Sequence, residues 1–253
     1  MKVLSFVNQK GGVGKTTSCF NIAYCLTTLN KKVLLIDNDP QASLSLIAGI
    51  NPSEEDFKEN TVSDLYNKTI KSIKPMEIGK EISIIPSSIR LSVVERSLQN
   101  ELSRENILKK AIEKHFKNKY DYILIDCSPT LNLLNINALT ASDAVIICCQ
   151  TNPISTFAIP DILDTLDSIK EINPKLKIAG TIATMFDKRT KIDQEELNWI
   201  KNKKELNYLG LTNKSIDLSR GIKDGKSLCE VNPKAINAIN YMQITKLIVE
   251  RIR

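Results

Sequence analysis

Short apolar runs alternate with amphipathic stretches along the whole chain. Six of these runs, each four to seven residues long and rich in β-branched side chains, are bounded by polar or turn residues and predict strands at residues 3–7, 33–36, 82–85, 122–125, 144–149 and 178–184. The runs are continuously apolar rather than alternating, which is typical of strands that are buried on both faces of a parallel sheet.

Between these runs, apolar residues recur with a period of about 3.6, which predicts helices. The helical stretches lie at residues 16–29, 105–116, 162–169 and 235–252. Thr61 and Asp64 have the spacing of a capping box for one short helix in the otherwise irregular stretch 51–80. Strands that alternate with helices predict a doubly wound, mostly parallel α/β sheet with helices on both faces, and a single domain over residues 1–253.

The composition is that of a globular protein with material for one sizeable core. Hydrophobic residues make up 42% of the 253 residues and charged residues 25%. No apolar run reaches the length of a membrane span, and the first residues lack a signal-peptide pattern, so we expect a cytoplasmic protein. The six cysteines form no C-x-x-C pair and there is one histidine, His115, which predicts reduced, buried thiols and no zinc site.

Charge is distributed unevenly along the chain. Residues 1–169 contain 18 Lys and Arg against 19 Asp and Glu, whereas residues 170–253 contain 17 against 10, and the whole chain carries a net charge of +6. Such asymmetry is compatible with a basic face for a polyanion, either nucleic acid or an anionic membrane, and equally with an ordinary lysine-rich surface.

The most specific motif is the glycine-rich loop at residues 10–17, which reads Lys-Gly-Gly-Val-Gly-Lys-Thr-Thr between a predicted strand and a predicted helix. Glycines let backbone N–H groups turn toward a phosphate, and the helix N-terminus adds partial positive charge. Lys15 is expected to reach the β- and γ-phosphates of a nucleotide and the Thr16 hydroxyl to bind Mg²⁺. Gln9 replaces the first glycine of the general pattern, and Lys10 supplies an extra lysine, which makes this the deviant Walker A form.

Acidic residues follow two of the predicted strands. Asp37 and Asp39 come just after the strand at 33–36, and Asp126 ends the strand at 122–125. Ligands of open α/β sheets bind at the carboxyl ends of the strands, so these acids should lie beside the phosphate loop. We predict a Mg²⁺ site built from Thr16, Asp37 and Asp126, and a switch that senses the γ-phosphate at residues 128–130.

Together these motifs resemble the deviant-Walker ATPases, the family of ParA/Soj partition ATPases, MinD and the nitrogenase iron protein. The form Asp-x-Asp-Pro-Gln at residues 37–41 is ParA-like, as are residues 121–130, 137–143 and 183–190. The resemblance spans nearly the whole chain and implies a P-loop ATPase with ATP and Mg²⁺ as cofactors.

The resemblance also implies a working cycle. ATP binding would bring two protomers together, with Lys10 reaching the partner's phosphates and Asp39 orienting the attacking water. The ATP-bound homodimer would bind double-stranded DNA without sequence preference and associate with the nucleoid. Hydrolysis would be slow until a ParB/Spo0J-type partner stimulates it. Lys10, Lys15 and Asp39 are the predicted catalytic residues.

Further roles come from matching positions of the family. The predicted nucleotide contacts are Lys10, Gly11, Gly12, Val13, Gly14, Lys15, Thr16, Thr17, Pro129, Met185 and Lys214. The usual Pro-Arg pair near the base is Asn213 and Lys214 here, and a position that contacts DNA in relatives is Asp217. We therefore expect the DNA-binding surface at Arg189, Arg220, Lys223 and Lys226.

Three other functions compete with partition. The first is a MinD-like ATPase that cycles on the membrane, but residues 235–252 look more like a helix docked on the sheet than a lipid anchor, so no stable membrane association is expected. The second is an electron-transfer iron protein, which needs bridging cysteines flanked by glycines. The third is a metabolic amide or lactam synthetase on the same fold.

Overall fold

The computed structural model describes residues 1–52, 59–215 and 225–252. Its strands are β1 (Lys2–Val7), β2 (Val33–Asn38), β3 (Met76–Gly79), β4 (Ile82–Ile85), β5 (Tyr122–Cys127), β6 (Ala144–Gln150), β7 (Lys177–Phe186) and β8 (Gly210–Asn213). Its helices are α1 (Lys15–Thr28), α2 (Ser43–Ile47), α3 (Val62–Leu65), α4 (Leu91–Leu98), α5 (Ile107–Phe116), α6 (Leu133–Ala141), α7 (Pro153–Phe157), α8 (Ile159–Lys170), α9 (Lys191–Asn202), α10 (Leu228–Val231) and α11 (Ile236–Arg251).

The strands form an eight-stranded sheet in the order β3-β4-β2-β5-β1-β6-β7-β8. All neighbouring pairs are parallel except β3 with β4, which are antiparallel. The chain starts at β1 in the middle of the sheet and builds outward in both directions, which confirms the predicted doubly wound fold.

Each face of the sheet is covered by helices over its own apolar cluster. Alternating strand residues separate the two: Val3 and Val7 belong to one cluster, Leu4 and Phe6 to the other. Helices α3–α6, α8 and α9 contribute to the first cluster, and α1, α2, α10 and α11 to the second. In the described parts of the chain, no helix is long and apolar enough to cross a membrane.

All six predicted strands are present, but two more were missed. β3 lies at the sheet edge with three of its four residues exposed, so it lacks the apolar run that marks a buried strand. β8 is a four-residue edge strand that starts with glycine. The prediction that residues 51–80 are irregular outside the capping box was therefore wrong at β3.

The predicted helices are also present, with small shifts at their ends. A 3₁₀ turn at Arg104–Asn106 precedes α5, which begins at Ile107. The predicted capping box is confirmed, because the backbone N–H of Thr61 donates to Asp64 Oδ2 over 2.9 Å at the start of α3.

Candidate nucleotide-binding site

The glycine-rich loop joins the end of β1 to the start of α1, as the motif predicts. Gly12 and Gly14 have φ angles of 73° and 84°, in the left-handed region that favours glycine. Two contacts fix the loop from outside. Asn8 Oδ1 accepts from the backbone N–H of Lys10 over 2.7 Å, and Thr184 Oγ1 donates to the carbonyl of Val13 over 2.7 Å.

The two lysines of the loop have different surroundings. Lys15 is buried, and its Nζ donates to the carbonyl of Lys10 over 3.1 Å, so its ammonium lies within the curve of the loop. Lys10 is only partly buried, and its Nζ donates to Ser155 Oγ on α7 over 3.4 Å. Lys15 is therefore placed to bind a phosphate held inside its own loop, while the Lys10 side chain extends across the rim of the site.

Asp37 and Asp126 are register partners on the adjacent parallel strands β2 and β5. Both lie inside their strands rather than just past the ends, because β2 and β5 extend beyond the predicted limits. Both side chains are buried. Asp37 Oδ2 accepts from the backbone N–H and the hydroxyl of Ser45, over 2.7 and 2.6 Å, a contact that no sequence pattern had indicated.

Burial of these two carboxyls makes their charged forms unfavourable. Desolvation raises the pKa of Asp37 to about 7, although hydrogen bonds from Ser45 oppose the shift. Desolvation and the nearby Asp37 charge raise the pKa of Asp126 to about 8, while Thr16 and Lys15 oppose this shift. Two buried carboxyls side by side next to a hydroxyl form an electrostatic environment that a bound cation would stabilise.

One oxygen of this pair tests whether Mg²⁺ suits the residues present. Asp126 Oδ1 is buried and has no hydrogen-bond partner among the described residues. Carboxylate and hydroxyl oxygens are ligands that Mg²⁺ prefers, and a dication would offset the repulsion between the two acids. Thr16, Asp37 and Asp126 therefore fit the predicted cation, directly or through water.

Asp39 lies at the rim of the same site, one residue after β2. Its Oδ1 accepts from the backbone N–H of Gln41 over 2.9 Å, and its own N–H donates to Asp37 Oδ1 over 3.4 Å. The side chain is only half-buried. A half-buried carboxylate held by a local turn stays accessible to a solvent molecule, which suits the predicted water-orienting role.

The predicted switch at residues 128–130 follows β5 and is held by a residue that the sequence had not singled out. Asn135 on α6 donates from Nδ2 to the carbonyls of Ser128 and Thr130, over 2.8 and 2.6 Å. Pro129 between them is half-buried. The loop is thus tied to α6 by a side-chain amide whose role no local sequence pattern could have indicated.

The structure brings Met185 to the phosphate loop. Met185 ends near Gly14, since a methyl group added to Gly14 would lie 3.9 Å from Met185 Cε. Its φ of 56° is unusual for a residue with a side chain and marks a local irregularity near the end of β7, where the register with β8 shifts between Ala183 and Phe186.

Lys214 lies on a neighbouring surface. Its N–H donates to the carbonyl of Phe186 over 3.1 Å, and its exposed side chain lines a cleft of about 760 Å³ between β8, α11 and the loop that follows β7. The contact of Lys214 with a base stays a prediction.

Among the predicted DNA contacts, Arg189 is 82% exposed and already carries a partner. It donates from Nε and from a terminal nitrogen to the two oxygens of Asp187, over 2.9 and 2.6 Å, and this arginine holds the pKa of Asp187 well below its usual range. Lys226 is exposed. Arg220 and Lys223 lie outside the described residues.

Comparison with known proteins agrees with this geometry. A family model described as an AAA domain matches residues 1–178. The chain is 35% identical to the sporulation initiation inhibitor protein Soj of Bacillus subtilis over 250 residues, which is 97% of each chain.

Two solved structures have the same fold along almost the entire chain. The cobyrinic acid a,c-diamide synthase of Mycobacterium smegmatis with bound ADP and magnesium has a TM-score of 0.84 at 28% identity and covers 99% of this chain and 94% of its own. A protein described as a plasmid partition protein of Borrelia burgdorferi, bound to AMPPNP, has a TM-score of 0.81 at 26% identity, and the match covers 99% of each chain.

The fold and the loop at residues 10–17 define a P-loop ATPase with a deviant Walker A motif. Within this class, the chain belongs to the AAA-domain family and is a ParA/MinD-type ATPase.

Proposed function

We propose that this protein is an ATP-dependent partition ATPase whose ATP-bound dimer binds DNA non-specifically and whose slow hydrolysis is stimulated by a ParB-type partner. The observation that carries the proposal is the different position of the two loop lysines. The Lys15 ammonium lies within its own loop, whereas the Lys10 side chain extends outward to Ser155. The similarity to Soj along 97% of both chains supports partition over the other functions of the fold.

ATP and Mg²⁺ are the cofactors of this site. The backbone N–H groups of residues 11–16 and the Lys15 ammonium bind the phosphates. Thr16, Asp37 and Asp126 would hold Mg²⁺, and this ion would supply positive charge that offsets the negative charge of the phosphates. Asp39 orients the water that attacks the γ-phosphate. The proton lost by this water can pass to solvent, because Asp39 is half-buried at an open rim.

The dimer surface lies on the side of Lys10. Ser155, which Lys10 contacts, is flanked on α7 by Ile154 and Phe157, which are 71% and 87% exposed. Exposed apolar side chains beside a nucleotide site are typical of an interaction surface. A second protomer placed here would cover this apolar patch and receive Lys10 near its phosphates. Hydrolysis stays slow in a single protomer because its own residues do not fully offset the negative charge on the phosphoryl group that is transferred.

DNA binding rests on the basic last third of the chain. Arg189 projects into solvent beside Lys188, and Lys226 is exposed in the same third of the sequence. The Asp187–Arg189 ion pair must open, or share its arginine, when a DNA phosphate approaches. A cytoplasmic protein that binds DNA only with ATP would follow the nucleoid during its ATP-bound phase.

The test is DNA binding at several salt concentrations with ATP, ADP or no nucleotide. We expect duplex DNA of any sequence to bind only the ATP form, with a slope of log affinity against log salt of about −0.9 for each phosphate contact. Arg189→Glu and Lys226→Glu should weaken binding equally on all sequences, because phosphate contacts carry no sequence information. Lys110→Glu, an exposed lysine of α5 outside the basic third, is the matched control and should leave binding unchanged.

Other outcomes would replace the proposal. Equal binding with ATP and ADP would remove the nucleotide switch. Binding to anionic liposomes with none to DNA would favour the MinD-like cycle. ATP hydrolysis that responds to a carboxylic acid and ammonia or glutamine, and not to DNA, would favour an amide synthetase.

A further inference from the structure

Two buried cysteines from distant parts of the sequence are in contact where α10 packs against α1, the helix that follows the phosphate loop. Cys25 lies on α1 and Cys229 on α10, separated by 204 positions in the chain, and their sulfur atoms are 2.9 Å apart. Cys25 Sγ donates its hydrogen to Cys229 Sγ. All six cysteines are free thiols and all are buried.

The short helix that carries Cys229 is held on α1 by a second polar contact. Asn21 Oδ1 accepts from the hydroxyl of Ser227 over 2.9 Å and from the backbone N–H of Leu228 over 3.0 Å. Asn21 and Cys25 are one helical turn apart on α1, so they face the same neighbour. The two cysteines therefore meet at a fixed contact between α1 and α10 and not by chance at a loose surface.

We propose that Cys25 and Cys229 form a reversible dithiol–disulfide site that a hydroperoxide oxidises. A disulfide bond is about 2.05 Å long, so closure requires the two sulfurs to approach by roughly 1 Å. The residues on α1 and α10 already place them side by side, and only a small movement of α10 is needed.

The two sulfurs differ in their expected reactivity toward an oxidant. The hydrogen bond from Cys25 lowers the pKa of Cys229, although burial opposes the shift, whereas the pKa of Cys25 is raised. Cys229 is also the more exposed of the two, at 9% against 0%. The thiolate is the reactive form, so Cys229 is the sulfur that a small oxidant attacks first.

The balanced sequence has two steps. The Cys229 thiolate attacks one oxygen of hydrogen peroxide, the O–O bond breaks, and a sulfenic acid and one water form once a proton is taken up. The Cys25 sulfur then attacks the Cys229 sulfur, the S–O bond breaks, and the disulfide and a second water result. Two thiols and one peroxide thus give one disulfide and two waters, and an external dithiol reverses the reaction.

The crosslink ties the helix that begins at Lys15 to the chain just after Lys226. It closes a long loop of the sequence, which restricts the unfolded chain more strongly than a short loop. We expect the oxidised protein to melt roughly 5–15 °C higher than the reduced protein.

The experiment uses the purified full chain, treated with hydrogen peroxide and then alkylated in denaturant with N-ethylmaleimide. Peptide mapping by mass spectrometry without reductant should find Cys25 linked to Cys229, four free cysteines, and full reversal by dithiothreitol. Six alkylated cysteines after oxidation, linkage of other cysteines instead, or overoxidation of Cys229 without linkage would each overturn the proposal.

Variants provide the control for specificity. Cys25→Ser and Cys229→Ser should each abolish both the crosslink and the rise in melting temperature on oxidation. Cys19→Ser, another buried thiol on α1, is the matched control and should keep both. A rise in melting temperature that persists in Cys229→Ser would contradict this site. The mapping of the unmodified chain decides the question even if a serine variant fails to fold.

Discussion

Asp37 and Asp126 show that the alignment of two neighbouring strands can change the pKa of a side chain. Each follows a run of apolar residues in its own strand, and the pairing of β2 with β5 places the two side by side. Alone, either acid would be an ordinary strand-end carboxyl. Side by side and buried, both have raised pKa values, and Asp126 has an oxygen without a described partner.

At the same scale, Lys15 is expected to control nucleotide affinity. Lys15→Ala should weaken binding of ATP with Mg²⁺ by about 100-fold or more, because a charge-assisted contact with the phosphates is lost. Titration calorimetry measures this directly. Lys110→Ala should bind ATP as the unmodified protein does, and an unchanged affinity in Lys15→Ala would mean that the loop does not cradle phosphates.

The carboxyl pair also predicts a pH dependence of the metal-free protein. Both carboxyls have folded pKa values, about 7 and about 8, above the value of about 3.9 in an unfolded chain. The folded state therefore binds more protons than the unfolded state within this window. The free energy of unfolding contributed by these groups falls as the pH rises from about 4 to about 8.

Thermal melts in a chelator isolate this effect when Asp126→Asn is compared with the unmodified protein. The variant has no carboxyl to ionise at this position, so its melting temperature should gain on that of the unmodified protein between pH 5 and pH 8. A constant difference across this range would show that Asp126 does not titrate there.

At the scale of elements, the pairing of β6 with β7 contains an irregularity next to one glycine, Gly180. The register shifts between Val145 and Ile146, opposite Ile178 and Gly180. Gly180 has a φ of 153°, and a Cβ added there would lie 2.2 Å from the carbonyl oxygen of Asn207. The glycine therefore lets the chain after α9 approach β7 closely before β8 begins.

Gly180→Ala should destabilise the protein by about 2–4 kcal/mol, because the backbone carbonyl of Asn207 and the side chains of Leu209 and Arg251 must move away from the new methyl group. Urea unfolding monitored by circular dichroism gives this value. Gly11→Ala is the control for folding, since a Cβ there meets nothing within 4 Å. A cost below about 1 kcal/mol for Gly180→Ala would show that the edge of the sheet relaxes easily.

At the scale of the whole molecule, the predicted dimer depends on residues that do little for the isolated fold. Lys10 is partly exposed and bonds to Ser155 over 3.4 Å, and Ile154 and Phe157 beside Ser155 project into solvent. These features stabilise one protomer only weakly. They would contribute to stability mainly in a dimer, where a second protomer covers them.

Lys10→Ala should therefore bind ATP with nearly unchanged affinity but fail to dimerise, because its charge matters only where two triphosphates face each other. Light scattering coupled to a sizing column, with ATP and with ADP, measures the mass. ATP-dependent dimers of Lys10→Ala would contradict the proposed role in trans.

Asp39→Ala gives the complementary result. It should bind ATP and dimerise but hydrolyse ATP at least about 100-fold more slowly, because the water is no longer oriented. A variant that stays monomeric with ATP would give Asp39 a binding role instead.

The sequence by itself determined the central sheet and the phosphate loop, because both depend on local patterns. Continuous apolar runs mark strands buried on both faces, and glycines before a helix N-terminus mark an anion site. The loop motif and the acids after the predicted strands were enough to predict an ATPase with Mg²⁺.

Only the three-dimensional structure showed the edges of the sheet and the partners of the site residues. β3 and β8 are short and lie at the edges, so burial leaves little trace in their sequences. The bond of Asp37 to Ser45 and the ion pair of Arg189 with Asp187 depend on local turns that no periodicity encodes. The meeting of Cys25 with Cys229 arises only when α10 folds back onto α1, since contacts between distant segments depend on the packing of whole elements.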